Sequence, residues 1–401
     1  MKLALVVQRY GADLAGGSEG HCRALALHLS GSLGQTVEGA VHDVTVLTTC
    51  ARDYVTWRNA YPAGESRDGA VRILRFPVSN TRRLKRFADV SDEVFDGGAS
   101  PQRQHEWFRE NGPDAPALLE HLSAHGREYD LVLFWTFRYA TSYFGVPLVA
   151  DRAVLLPTAE DDPAIRLDVL EEFFRKPAGF LFLTPEERML VAARAGALPQ
   201  PAATIGTGLH PAGARPPAGM LRAHGIEGDY LLYLGRVDRN KGCRTLFEYY
   251  EAATAASTFV PPLVLAGPAT MPVPPHAGIR ALGYVEDELR EALLAHARAL
   301  VIPSRYESLS IVLLEAWNHG VPALVNAECA VLDGQVRRAN GGLSYRSGGE
   351  FHEALAYLSA NAAACEQFGR QGKRYVDREY RWPTVLARVQ SVLEEVVSAA
   401  R

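Results

Sequence analysis

The chain has 401 residues, 47% of them apolar and 22% charged, with a formal net charge of −4 at pH 7. That length predicts two domains, each able to bury its own core, and the slightly acidic balance argues against a protein that binds nucleic acid as a whole. No apolar run reaches bilayer-crossing length. Residues 1–9 are too short for a secretory leader. The five scattered cysteines, without a Cys-x-x-Cys pair, fit a reduced cytoplasmic protein with no structural zinc.

Residues 3–7 read as a buried parallel strand. A turn containing Gly16-Gly17 follows, then a helical pattern with Cys22, Leu25, Ala26 and Leu29 on one face. Glycines there let the backbone approach a ligand or take positive φ, and Ser18 is the expected cap. Further strands are expected over 43–48 and 71–76. Arg82, Arg83, Lys85 and Arg86 then surround Leu84 and Phe87. This is either a solvated basic face or a patch that touches anionic lipid. The stretch 89–116 has no clear period and reads as a loop, or as a helix around 102–110. Strands over 130–135 and 153–156 come next, the second leading into Glu160-Asp161-Asp162. Three acids in a row are either a solvated loop or groups that bind hydroxyls. A strand over 178–183 leads to Thr184 as N-cap, with Pro185 in the first helical position and Glu186 and Glu187 behind it. A strand over 202–205 closes the first half. The Pro-rich stretch 211–219 reads as a linker, giving domains 1–209 and 210–382.

The second half opens with a strand over 230–234 that runs into Gly235-Arg236-Val237-Asp238-Arg239-Asn240-Lys241-Gly242 and a helix from 243. Strands over 263–266 and 280–282, a helix over 286–297 and a strand over 299–302 follow. The last strand enters the polar turn at Pro303, and a helix then runs to Gly320. Ser308 is the expected N-cap, with Glu307 before the helix and Glu315 two turns inside it. A strand, a turn and a helix N-terminus make the usual anion site of an α/β sheet. Strand and helix in alternation predict a doubly wound parallel sheet. After a strand over 322–326 and helices over 355–361 and 365–379, a final helix over 383–401 carries Val385, Val389, Val392 and Val396 on one stripe.

Glu307-x7-Glu315 and the Gly235-Arg236…Lys241-Gly242 element together resemble the retaining, GT-B-fold glycosyltransferases of family 4 (glycosyl transferases group 1). The resemblance implies an α/β protein of GT-B architecture, two Rossmann-like doubly wound domains facing a central cleft. The first domain is then the acceptor side and the second the donor side, with the helix 383–401 packing back on the first. It implies that Arg236 and Lys241 hold the donor diphosphate, that Glu307 holds the donor sugar and that Glu315 holds the ribose. Ser308, Leu309 and Ser310 give N–H bonds to the phosphates, and Gly16 and Gly17 lie against the diphosphate and the acceptor. Glu160 stands where the family commonly has the histidine of a His-Asp pair, and Asp161 matches the aspartate. Both are candidate sugar or acceptor contacts. The family's Gly-Gly turn near the sugar is absent from 327–331.

The activity so implied is metal-independent transfer, with retention, from a nucleotide-diphosphate sugar to a glycan, lipid-linked or small-molecule acceptor. No cofactor is implied beyond the donor as co-substrate. The expected setting is cytoplasmic, with peripheral contact at the inner membrane face through Arg82, Arg83, Lys85 and Arg86. Two other classes compete: a nucleotide-sugar epimerase on the same fold, and a non-catalytic partner subunit, suggested by Glu160 in place of the histidine.

Overall fold

A computed structural model describes residues 1–14, 16–34, 39–256 and 260–399. The chain divides into two units, Met1–Gly208 joined by Trp382–Arg401, and Leu209–Arg381.

The first unit is built on eight strands: β1 (Lys2–Val6), β2 (Asp43–Thr49), β3 (Gly64–Asp68), β4 (Val71–Phe76), β5 (Leu131–Trp135), β6 (Ala153–Leu156), β7 (Gly179–Phe182) and β8 (Ala202–Thr204). They lie in the order β3-β4-β2-β1-β5-β6-β7-β8. Every pairing is parallel except β3 with β4. The central strands are short apolar runs because both faces of a parallel sheet are covered. One face carries Phe134, Leu155 and Phe182 with Trp107, Phe108 and Leu118. The other carries Leu5, Leu133 and Leu156 with Leu25 and Ala26. Strand β3, Gly-Glu-Ser-Arg-Asp, is largely exposed. Its charges suit an edge and hide it from any search for apolar alternation.

Of the two readings of 89–116, the helix is the one found, as Pro101–Asn111, and two further helices, Leu84–Phe95 and Pro116–His125, flank it in the first unit. The helix Pro101–Asn111 is capped by Ser100, whose hydroxyl accepts from Arg103 N at 3.3 Å. The last helix, Trp382–Ala399, puts Val385, Val389, Val392 and Val396 into the core of the first unit beside β1 and β5. The final two residues of the expected helix lie outside the described ones.

The second unit has six parallel strands: β9 (Leu231–Leu234), β10 (Leu263–Ala266), β11 (Ile279–Gly283), β12 (Ala299–Ile302), β13 (Ala323–Asn326) and β14 (Gly342–Tyr345). Their order is β11-β10-β9-β12-β13-β14. Strand β14 needs glycine at its start, since a Cβ on Gly342 would stand 2.0 Å from Ala323 O.

In each sheet the chain order reverses once, between β1 and β5 and between β9 and β12. Loops leaving adjacent strands at such a reversal diverge and leave a crevice beyond the carboxyl ends.

Candidate active site

The crevice of the second unit lies between the loops that follow β9 and β12, which pair side by side. The first loop is folded around Asp238. Its Oδ1 accepts from Lys241 N at 2.7 Å, and its Oδ2 takes Arg236 Nε in a short charged hydrogen bond. Tyr233, at the end of β9, donates its hydroxyl to Arg236 O at 2.7 Å, and burial holds its phenol protonated. Gly242 closes the turn with φ of +75°, and a Cβ there would meet Pro303 O at 2.3 Å. The two loops therefore touch backbone to side chain position, and only glycine fits both the angle and the gap.

That contact brings Lys241 to Glu307: Nζ lies 2.8 Å from Oε1. Both residues are shielded, with side-chain exposures of 35% and 13%. The carboxylate thus orients the ammonium at the crevice mouth. Arg236 sits on the same loop under Asp238, so two fixed positive charges stand where the strand order reverses.

The second loop differs from expectation at its helix. Ser308 does not cap it. The helix is Ile311–Asn318, and its N-cap is Ser310, at φ 66° and ψ 83° with no side-chain cap bond. The buried Ser310 Oγ has no hydrogen-bond partner. A non-glycine residue in the left-handed region is uncommon and costs of order 1–3 kcal/mol. It turns the chain sharply at the point where the helix begins. Leu309 O is held from behind by Gln335 Nε2 in a short hydrogen bond.

With the later helix start, Glu315 lies one turn inside rather than two. Its carboxylate forms a close ion pair with Arg290, from the helix Asp287–His296. Burial raises its pKa while the Arg290 guanidinium opposes the rise. Glu315 is thus tied to the β11 side of the unit, and Glu307 to the β9 loop.

In the first unit the turn after β1 is organised by Glu19. Its Oε1 accepts from Gln8 Nε2 at 3.0 Å and from Arg9 Nε at 2.9 Å. Gly16 is the N-cap of the helix Gly17–Leu29, in extended backbone at φ −148°, so Ser18 lies inside the helix rather than capping it. Glycine is required at 16 for space and not for positive φ: a Cβ would lie 2.2 Å from Glu19 Oε2. Gly17 is the first helical residue.

The three acids after β6 have separate fates. Asp161 pairs with Arg166 at 2.9 Å, both exposed. Asp162 pairs closely with Arg138 and accepts from Ala164 N at 3.1 Å. Glu160 lies near enough to Arg138 and to buried Glu187 to influence both electrostatically. Glu187 in turn accepts Ala159 N at 2.7 Å and Leu183 N at 2.5 Å, and Thr184 caps Glu187 N at 3.2 Å as the sequence predicts. Thr136 and Thr158, at the ends of β5 and β6, both have positive φ, and their hydroxyls meet at 2.9 Å.

The basic cluster is not four free cations. Arg83 pairs with Glu110 and Arg86 with Glu106, both on the helix Pro101–Asn111. Arg82 turns inward and donates to Asn111 O and Tyr54 O. The opposing acids lie about twenty to twenty-seven residues away, too far along the chain for their sequence positions to reveal the pairing.

Asp238, Arg290, Arg9 and Glu19 received no role from the sequence. A signal existed for Asp238, an acid between two assigned cations in a tight turn. Arg290 offers none, because its partner lies on another helix.

Residues 228–361 match the family model described as glycosyl transferases group 1. This span contains Arg236, Lys241, Glu307 and Glu315. The O-antigen chain mannosyltransferase B of Escherichia coli is 33% identical over 105 residues, covering 24% of this chain and 28% of the relative. The chain thus matches little more than a quarter of that relative's length. Among solved structures, sucrose-phosphate synthase from Thermosynechococcus elongatus superposes with a TM-score of 0.71 at 17% identity, over 99% of both chains. An E. coli structure described as "Trehalose-6-phosphate from E. coli bound with UDP-2-fluoro glucose" gives 0.71 at 12% identity, again over 99% of both. These likenesses show the fold, which is GT-B.

Proposed function

We propose that this chain, a GT-B protein of the glycosyl transferases group 1, moves a sugar from a nucleotide-diphosphate sugar to an acceptor held by its first unit. The observation that carries the reading is the Lys241–Glu307 contact at the β9/β12 reversal, with Arg236 on the same loop. A structural neighbour described with a bound UDP-sugar supports the donor class.

The physical problem of the reaction is a diphosphate leaving group that gains negative charge while the anomeric carbon becomes oxocarbenium-like. Lys241 and Arg236 stabilise that charge, helped by the amides that open the helix Ile311–Asn318. Glu307 and Asp238 hold the two cations in place beforehand, so little reorganisation accompanies bond cleavage. In this reading Glu307 also meets donor-sugar hydroxyls, Glu315 meets the ribose, and Gly16 and Gly17 leave room beside the phosphates. Glu160 and Asp161 are sugar or acceptor contacts. Retention of configuration is what the resemblance to retaining family 4 enzymes implies, and the charge stabilisation assigned to these cations requires no metal ion. Residence in the cytoplasm with peripheral contact at an anionic membrane is part of the same proposal. Lys85 and the exposed Leu84 are its best points of contact. Among the described residues no helix is long and apolar enough to cross a membrane.

A thermal-shift screen of UDP, GDP and ADP and their sugars tests the proposal, since a ligand of the native state raises apparent stability. Product analysis with the stabilising donor follows. Transfer to an added acceptor supports the reading. Donor converted to an epimer without acceptor identifies an epimerase, and no nucleotide response at all points to a partner subunit.

A further inference from the structure

The first unit contains a cavity of about 1290 Å³ whose walls do not include the Gly16 turn. Its walls come from the loop after β2 (Trp57), the loop after β4 (Asn80, Arg82), the link at Gly112 and the segment after β5 (Thr141, Phe144). The loops after β2, β4 and β5 leave the carboxyl ends of their strands, where such sheets bind ligands, and the link at Gly112 joins two helices beside them.

Three observations give the cavity a chemical character. Arg82 is half-buried in its wall, stacked 5.0 Å from the Trp57 ring. Its donors go to neutral oxygens: Asn111 O at 2.9 Å, Asn111 Oδ1 at 2.7 Å and Tyr54 O at 3.0 Å. Among the described residues no carboxylate lies within ion-pair distance of it, and Asp53 acts on it only from farther off. Burial pushes its pKa down to about 10, outweighing the opposing pull of Tyr139 and Asp53. Second, Arg58 and Arg109 also line the cavity and have no carboxylate at ion-pair distance among the described residues; Arg109 rests 5.4 Å from the Phe144 ring. Third, Thr141 is only 2% exposed, and its Oγ1 has no hydrogen-bond partner. A buried hydroxyl without a partner is costly and calls for an explanation.

Carboxylates line the cavity as well. Glu110 is taken by Arg83, Asp114 accepts from Asn80 Nδ2 at 2.6 Å, and Glu120 is exposed. With the Arg83–Glu110 pair set aside, three guanidiniums face two carboxylates.

We propose that this cavity binds a phosphoryl group carried by a saccharide, with Arg58 and Arg109 as its direct donors, Thr141 as a hydrogen-bond partner and Arg82 as a fixed charge behind them. The guanidinium fork suits phosphate oxygens. The volume admits the sugar beside the phosphate. Phosphate binding stands on the geometry of the cavity alone. Its assignment to the acceptor rests on the sugar-transfer reading. The phosphate could belong to a free sugar phosphate or to the headgroup of a glycolipid.

The test uses the full chain carrying Lys241→Ala, so that the donor-side ammonium does not take up the probe. Calorimetric titration compares glucose 6-phosphate with glucose. The expected result is at least ten-fold tighter binding of the phosphorylated sugar, with the preference lost in Arg58→Gln/Arg109→Gln. Thr141→Val should weaken it several-fold while leaving the circular dichroism spectrum unchanged. Flotation on phosphatidylglycerol and phosphatidylcholine vesicles separates the sources. Vesicle binding that needs phosphatidylglycerol and is lost in the same arginine variants, without a response to glucose 6-phosphate, assigns the phosphate to a lipid. Equal affinity for glucose and glucose 6-phosphate with no such vesicle binding overturns the site, and so does a preference that survives both arginine substitutions. Failure here with Lys241-dependent turnover intact in the otherwise unaltered chain leaves sugar transfer standing. Phosphate binding without any transfer does the reverse.

Discussion

Lys241 and Glu307 are 66 residues apart in sequence, yet Nζ and Oε1 are 2.8 Å apart. They meet because β9 and β12, which are not consecutive, are neighbours in the sheet, and because Gly242 lets one loop rest on Pro303 of the other. If this contact fixes the cation that receives leaving-group charge, Lys241→Ala should raise the barrier by about 2–4 kcal/mol, roughly 30- to 1000-fold in turnover. Arg236→Ala should behave alike. Steady-state kinetics with the donor found by thermal shift measure both, and wild-type turnover in the two variants would remove their role.

Glu315 tests a different step. Its substitution by alanine should lower nucleotide affinity more than turnover, as read by calorimetric titration of the nucleotide diphosphate. Arg290→Ala leaves the Glu315 carboxylate without its ion-pair partner and should destabilise the fold by about 2 kcal/mol. In the double variant the two losses in stability should add to less than their sum, because the pair acts as a unit. Strict additivity in denaturant melts would show the pair to be incidental.

Gly242→Ala is expected to be costly on two counts: a φ of +75° and a Cβ 2.3 Å from Pro303 O. A loss of about 1–3 kcal/mol in urea unfolding is predicted, with turnover falling further because the loops are forced apart. Unchanged stability would mean that the loop can yield without strain.

Trp382 anchors the final helix in the first unit. Its ring centroid lies 3.8 Å from that of His28, and it packs on Gly208, where a Cβ would meet it at 2.1 Å. Trp382→Ala should cost about 3–5 kcal/mol. Limited proteolysis should then release the C-terminal segment earlier than in the wild type. Identical cleavage kinetics would contradict an anchoring role.

His21 predicts a pH dependence. It is fully enclosed, burial lowers its pKa to about 4, and Trp135 Nε1 donates to its Nδ1 at 3.2 Å, which requires the neutral ring. The unfolded chain binds a proton near pH 6.5 that the folded chain refuses until about pH 4. The stability contribution is therefore complete above pH 6.5 and is lost as pH falls through that window, by on the order of 3 kcal/mol. His21→Phe should be less stable at pH 7, because Trp135 loses its acceptor, but should show a shallower decline towards pH 4. Parallel pH profiles for the two proteins would refute the assignment.

Much of the scaffold was written in local sequence. Runs such as 153–156, 263–266 and 299–302 coincide with β6, β10 and β12 because a strand buried on both faces must be continuously apolar. Edge strand β3 and the helices over 84–95 and 116–125 escaped the same test, since their signal depends on what they pack against. The Glu-x7-Glu spacing and the Gly-Arg…Lys-Gly turn were likewise legible, as residues adjacent to strand ends.

What only the tertiary structure decided was pairing. It gave Lys241 to Glu307 and Glu315 to Arg290, moved the helix start from Ser308 to Ser310, turned Arg82 inward, and left Thr141 without a partner beside three guanidiniums. Chain position determines which residues can stand at a strand end. Strand order and the close approach of backbones determine which of them meet, and charges act over a few ångströms of space whatever their distance along the chain.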